Sequence, residues 1–398
     1  MNFFKKHDAR KQLDGMIAYA RTAINMRGDL MGPDAIAEIK DAMAAGRTAR
    51  GGSLDEITGA SKRIDDLLEL HGCTRRNALL ENFEVLAVAI AVAMAFRCYF
   101  FQPFKIPTGS MTPTLYGISA VDCDAGFWDR QPFKAAAWLV TGSWYSEVRA
   151  ERSGNVVLLL SDQRKPGYSA LSVAGKVGYV PDDVLRDPRD SSRISLSRLN
   201  IRPLPPGAEN FARGYGLILG TVQAGDKVWS GRVVSGDHVF VNRLTWNFRK
   251  PRRGDVMVFS TTGIKGLPQN THYIKRMVGL PGETISIDSP RLLVDGEEAT
   301  APETIARICR REKFAPWAPD YAYAGYQSIG QQPADTDRAL RGPKDEFTLS
   351  DTEYFAMGDN TINSRDSRYW GAVPRENLLG PGCIVYWPFT SPRWGRIE

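Results

Sequence analysis

Histidine is scarce in this chain of 398 residues: there are four, His7, His71, His238 and His272. Any proton transfer that relies on an imidazole therefore has few places to occur. Cysteine is equally sparse. Cys73, Cys98, Cys123, Cys309 and Cys383 include no C-x-x-C pair, which argues against a zinc ribbon or a thioredoxin-like motif. Their odd number and wide spacing do not make a disulfide framework, and a single Cys309–Cys383 bridge is left open for an oxidising compartment. The net charge of +6 is a mild excess for this length, and no string matches a nucleic-acid-binding signature, so no nucleic-acid partner is expected. No internal repeat is present, and neither a cofactor nor a metal is expected. What remains is a composition 43% hydrophobic and 24% charged, ordinary for a globular protein and long enough for two or three domains.

An apolar run of full membrane length is also missing. Residues 85–96 give twelve positions without a polar side chain. Flanking residues extend the stretch over 79–101, broken by Glu81, Asn82, Glu84 and Arg97, and this reaches the roughly 20 residues that a bilayer requires of a helix. Glu81 and Glu84 fall at one interface, Arg97 can snorkel at the other, and Tyr99, Phe100 and Phe101 supply an aromatic belt. A transmembrane helix is preferred here over a buried core helix. The largely polar stretch before it argues against a cleavable signal peptide. Lys62, Arg63, Arg75 and Arg76 precede the span and Lys105 follows it. The positive-inside rule then places residues 1–78 in the cytoplasm and the remainder outside. A single-pass protein of the cytoplasmic (inner) membrane is expected, with the lipid bilayer as a partner.

Residues 1–78 carry apolar positions at helical spacing over 12–28, 33–46 and 54–71, with Gly46, Gly51, Gly52 and Gly59 expected to break them. After Phe101 short β-branched and aromatic runs alternate with Gly, Pro and Asp turns, which predicts a mainly β architecture. The runs 155–160, 176–180, 237–243, 255–259, 273–278, 284–287 and 383–387 are expected strands. Residues 181–215 read as a linker or long loop, and 302–312 as a short helix.

One string carries chemistry. In residues 104–115 Ser110 follows Gly109 and lies between Pro107 and Pro113, so the backbone around it is tightly constrained. Such a turn can hold a hydroxyl exposed and fixed, as a nucleophile requires. Its base must be found elsewhere. The membrane topology removes His7 and His71, leaving His238 and His272. In the expected strand around 273–278, alternation turns His272 away from the face that bears Tyr273, Lys275 and Met277. Lys275 has apolar and aromatic neighbours. Desolvation of that kind lowers a lysine pKa, by about 3–5 units at full burial, and a neutral amine can take a hydroxyl proton.

Four strings together resemble the type I signal peptidases, the bacterial enzymes that remove signal peptides from exported proteins. They are residues 106–115 just after the span, 236–243, the pair 253–259 with 273–283, and 358–371. The resemblance covers about a third of the chain. It implies a signal-peptidase-like β catalytic core, with Ser110 as nucleophile and Lys275 as general base. Thr108 takes the position of a small hydroxyl residue that shares the oxyanion hole with the Ser110 backbone N–H. Ser364 matches a serine that orients the lysine amine, and Asp366, Arg368 and Arg276 match structural charges near the site. Phe104, Ile106, Pro107, Tyr273 and Ile274 are the expected walls for the small residues of a signal peptide. Asp359 and Asn360 are read as shaping a turn. Signal peptides of exported preproteins are the implied partners, with contacts to the secretion machinery left open.

The departure from the family is an insertion. The expected organisation is a helical region over 1–78, a span over 79–101, a core formed by 102–118 with 236–398, and a β-rich insertion over 119–235. A second insertion is expected around 299–345. A self-cleaving regulator with the same serine–lysine chemistry and a catalytically dead assembly protein remain as alternatives.

Overall fold

The computed structural model describes residues 2–73, 78–160, 165–187, 190–204, 211–212, 216–315 and 318–397. They fall into two compact units, Met1–Ala93 and Met94–Glu398. Arg75 and Arg76, used above for orientation, lie outside the described residues.

In the first unit, helices α1 (Asn2–Arg27), α2 (Pro33–Ala49) and α3 (Leu54–Leu70) fall on the three periodic segments, the first beginning ten residues earlier than expected. Their apolar faces meet in a core that includes Leu13, Ile17, Ile39, Met43, Ile57, Ile64 and Leu68. Ser53 and Glu56 form a reciprocal capping box at the start of α3. Gly46 and Gly59 do not break helices as expected; both lie inside them. Gly46 is a packing position. A Cβ there would stand 3.2 Å from an Ile64 methyl and 3.4 Å from methyls of Ile17 and Leu13, so its lack of a side chain lets the three helices approach.

Helix α4 (Ala78–Tyr99) contains an 18-residue window, Asn82–Tyr99, of mean hydropathy 1.5 with none of it buried. It is long and apolar enough to cross a membrane. The chain passes directly from it into the strand Phe101–Lys105.

The second unit is mainly β. Its central sheet is antiparallel, in the order Phe101–Lys105, His238–Asn242, Leu378–Trp387, Val256–Ser260, His272–Gly279, Glu353–Met357 and Val373–Pro374, with Gly395–Arg396 on the side of Leu378–Trp387. The expected strands are present, the last extending five residues further toward the N-terminus, to Leu378. The expected helix at 302–312 is shorter, Glu303–Cys309, ending just before Arg310 and Arg311.

The insertion is β-rich. Lys176–Pro181, Tyr168–Val173, Gly154–Leu159, Gly216–Val222 and Phe211–Ala212 form one sheet, and Ser119–Asp122, Lys227–Val234 and Ser143–Arg149 another. They share a core around Val156, Leu158, Leu171, Val180, Leu219, Val228 and Trp229. The expected loop over 181–215 contains the short strands Arg186–Asp187 and Asp190–Ile194 and a bridge from Arg202 to Thr221. A helix not anticipated from the sequence, α5 (Phe133–Thr141), ends at Gly142 in the left-handed conformation, φ 63°.

All five cysteines are free, so the Cys309–Cys383 bridge is not formed. Cys309 is buried in the hydrophobic cluster beneath its helix, while Cys383 directs its thiol to the Phe240 carbonyl.

Candidate active site

Ser110 occupies the middle of a single 3-10 turn, Gly109–Met111, entered from the extended Thr108. The turn is fastened from below. Met111 and Leu115 are fully buried and join Ile106, Val239, Val256 and Val385 in one cluster. The backbone of the preceding string is clamped by residues 236–237: Ile106 N–H donates to the Asp237 carbonyl at 2.8 Å, and Asp237 N–H to the Tyr116 carbonyl at 2.9 Å. A Cβ at Gly236 would fall 1.7 Å from the Ile106 carbonyl oxygen, a gap that only glycine allows. The buried Asp237 carboxylate accepts from Tyr116 N–H at 2.7 Å and from the Arg393 guanidinium at 2.7 and 2.9 Å. The inserted domain also touches this string. Gly167, at φ +83°, lies so close to Pro107 that a Cβ would meet its carbonyl oxygen at 2.2 Å.

Lys275 comes from the His272–Gly279 strand, 165 positions away, and its Nζ lies 2.6 Å from Ser110 Oγ. The lysine is 5% exposed and the serine 8%. Burial lowers the Lys275 pKa from 10.5 to about 8, with Asp366 opposing and Arg368 reinforcing the shift. At that value a substantial fraction of the amine is neutral near physiological pH. The two histidines on this unit are differently engaged. His238 is wedged against Tyr386 and Trp387, and burial holds its pKa down at about 4. The His272 ring meets the edge of Phe104, and that residue is exposed where Lys275 is buried.

Two buried ion pairs support the dyad. Arg276, next to Lys275, grips Asp359 through Nε at 2.8 Å and Nη2 at 2.7 Å, and Thr114 donates to the same carboxylate at 2.5 Å. Asp359 is flanked by groups that hold the serine turn: Asn360 N–H donates to the Ser110 carbonyl at 3.1 Å and Asn360 Nδ2 to the Gly109 carbonyl at 3.2 Å. Asp366 accepts from Gly358 N–H at 3.0 Å and pairs with Arg368 at 2.7 and 2.8 Å, while Arg368 also reaches the carbonyls of Thr361 and Ser364. The 358–371 string is thus a scaffold under the serine.

Two expectations meet a different geometry. Ser364 Oγ is buried and makes no hydrogen bond, so the expected bond to the lysine amine is not formed; that amine is directed at Ser110 instead. Ile106 is only 2% exposed because it packs into the cluster beneath the turn, which leaves Phe104, Pro107, Tyr273 and Ile274 as the half-buried members of the expected walls. Thr108 is exposed, and its side chain does not cap the turn. Among the described residues no cluster of His, Cys, Asp and Glu is arranged to hold a metal ion.

A serine and lysine bonded on an antiparallel β scaffold define the class to which this unit is compared. Residues 223–387 match the family model described as signal peptidase, peptidase S26. That segment holds Lys275, Arg276, Asp359, Ser364, Asp366 and Arg368 but not Thr108 or Ser110. The chain is similar to the signal peptidase I of Leptolyngbya laminosa, with 32% identity over 38% of this chain and 61% of the relative. It is also similar to signal peptidase I of Pseudomonas fluorescens, with 29% identity over 41% of this chain and 62% of that one. The chain thus spans about three fifths of the length of these curated relatives. A solved signal peptidase I from Enterococcus faecalis V583 aligns at 25% identity and TM-score 0.22, covering 33% of this chain and 97% of that one. The resemblance to type I signal peptidases stands on the sequence comparisons.

Proposed function

We propose that this chain is a membrane-bound serine endopeptidase that removes N-terminal signal peptides from exported proteins through a Ser110–Lys275 dyad. The observation that carries this reading is the 2.6 Å contact between two buried side chains, one of them an amine with its pKa lowered to about 8. In the ammonium form Lys275 donates to Ser110 Oγ. Once neutral, the amine accepts, and the same contact draws the hydroxyl proton off as the oxygen attacks the scissile carbonyl. Lys275 then returns the proton to the leaving amine, giving an acyl-enzyme, and takes a proton from water in the second half-reaction.

The Ser110 N–H and the Thr108 hydroxyl would receive the developing oxyanion. A signal peptide would bind extended near the edge strand Phe101–Lys105, its small residues against Phe104, Pro107, Tyr273 and Ile274. Ser364 would pair with the second hydrogen of the neutral amine after a small rotation, which gives a buried, unpartnered hydroxyl a use. Helix α4 would anchor the chain in the cytoplasmic membrane, with residues 1–78 inside and the peptidase core outside.

The expected outcome for Ser110→Ala, assayed in detergent on a preprotein substrate, is loss of cleavage with a cooperative thermal transition retained; cleavage at the normal rate rules the dyad out. Gly358→Ala tests the scaffold. A Cβ there would stand 2.4 Å from the Ser110 carbonyl and 2.3 Å from Ser364 Oγ, so the turn must shift. Misplacement of about 1 Å is expected to lower kcat/KM on the order of a hundredfold, and an unimpaired variant would show that the turn's position is not set by this contact.

A further inference from the structure

Helix α5 of the insertion and the turn before it are apolar and nearly bare. None of the residues of α5 is buried. Phe127, Trp128, Leu139 and Val140 are each at least half exposed, and Phe133 and Trp138 are exposed as well. A nine-residue helix is too short to persist in water on its own. It is held from one side: Trp138 packs on Trp387 with ring centroids 5.5 Å apart, and Trp387 Nε1 donates to the Leu139 carbonyl at 2.7 Å. Phe127, Trp128 and Phe133 cluster with centroids 4.8 to 5.8 Å apart. These contacts fix the helix while leaving its large side chains facing outward. A contiguous aromatic patch of this kind marks a surface that is covered in use.

Its continuation indicates what covers it. Within the second unit, aromatic rings run without a break from the last turns of α4 to α5. Phe96 meets Phe100 and Phe101 at 5.1 and 5.9 Å, Phe101 meets Phe240 at 6.3 Å, and Phe240 stacks on Tyr386 at 4.2 Å. His238 bridges Tyr386 and Trp387 at 5.9 and 4.5 Å, and Trp387 meets Trp138. Beyond that strand Phe389 and Trp394 are both 58% exposed. Arg130 and Lys134 are interleaved with the rings of the patch. Exposed Trp and Phe with basic residues among them suit the headgroup region of an anionic bilayer.

We propose that α5 and the turn at Phe127–Asp129 are a second membrane contact, lying in the boundary between headgroups and acyl chains. The inference rests on the reading of α4 as a span, because the span is what brings the unit to a bilayer. The insertion would then serve as an outrigger, fixing the tilt of the catalytic sheet that a single span leaves free.

The test uses the full chain in vesicles of phosphatidylglycerol and phosphatidylcholine that contain a phosphatidylcholine with a photoactivatable diazirine in its acyl chain. After photolysis and digestion, lipid adducts are located by mass spectrometry. Adducts are expected on peptides covering 127–141 and on those covering 82–99. The variant Trp128→Gln/Leu139→Gln/Val140→Gln should lose the first set several-fold, keep the second, and cleave a soluble peptide in detergent at the normal rate, which shows that it is folded. Labelling of 82–99 with 127–141 bare overturns the proposal, whether a second copy or another protein covers the patch. Labelling of 127–141 with 82–99 bare supports it and removes the span instead. If neither segment is labelled, both readings fall.

Discussion

Replacing Lys275 by methionine should abolish cleavage and at the same time stabilise the protein. Under the proposed mechanism, removal of the general base, which also holds the nucleophile, is expected to lower kcat/KM at least about a thousandfold. The stability change follows from burial. The unfolded chain protonates this amine near 10.5, whereas the folded protein resists until about pH 8. Stability is therefore lost as pH falls through that interval and stays lower below it. Methionine fills a similar volume without the charge, so its advantage should be on the order of 1–3 kcal/mol below pH 8 and fade as pH approaches 10.5. Thermal melts of both proteins across this range would check it, and a methionine variant less stable at neutral pH contradicts the desolvation argument. In the unmodified protein the proposed mechanism makes the same titration govern rate: kcat/KM should climb roughly tenfold per pH unit on the acid side and level off above about pH 8. A flat profile from mildly acidic to alkaline pH would remove Lys275 from the base's role.

The largest structural loss is expected from Asp359→Ala. Burial works against the Arg276 charge, and the Asp359 carboxylate more than offsets it, raising the guanidinium pKa. With both side chains 1% exposed, removing the carboxylate takes away the counter-charge of a buried cation, a defect worth about 3–5 kcal/mol. Denaturant titration in detergent should show that loss, and Arg276→Met with Asp359→Leu together should recover most of it. A single variant within about 1 kcal/mol of the parent would mean that water reaches the pair. Cleavage should fall as well, because Asn360, the next residue, holds the carbonyls of Ser110 and Gly109.

What could be read from the sequence was what is local. The proline–glycine turn at 107–113 and the strand from His272 to Val278 each lie within ten residues, and both formed, although the Ser110 hydroxyl is buried rather than exposed and the strand is buried on both faces from Lys275 onward. Of the pairings across long stretches only Ser110 with Lys275 was read, through the resemblance; Arg276 with Asp359, 83 positions apart, and Arg393 with Asp237, 156 apart, were not. Nothing in either neighbourhood distinguishes a buried charge from a solvated one. Helix α5 was missed for the opposite reason. It is nine residues long and mostly apolar, so a helical period has little length over which to show. Gly46 misled because a glycine inside a helix has the same appearance as a breaker until the neighbouring helices are in place.

The clamp between the Ile106–Leu115 string and the strands beyond it has a further meaning. Cutting the chain at the Ala174–Gly175 hairpin turn would leave Ser110 on one polypeptide and Lys275 on the other. The pieces would still share the ladders of Phe101–Lys105 with His238–Asn242, of Ser143–Arg149 with Lys227–Val234, and of Gly154–Leu159 with Gly216–Val222. If the proposed activity holds, two inert fragments would be able to reconstitute it, and the rate at low concentration would follow the product of their amounts. The geometry makes this protein divisible, with Ser110 and Lys275, the proposed nucleophile and base, as separately deliverable halves of a switch.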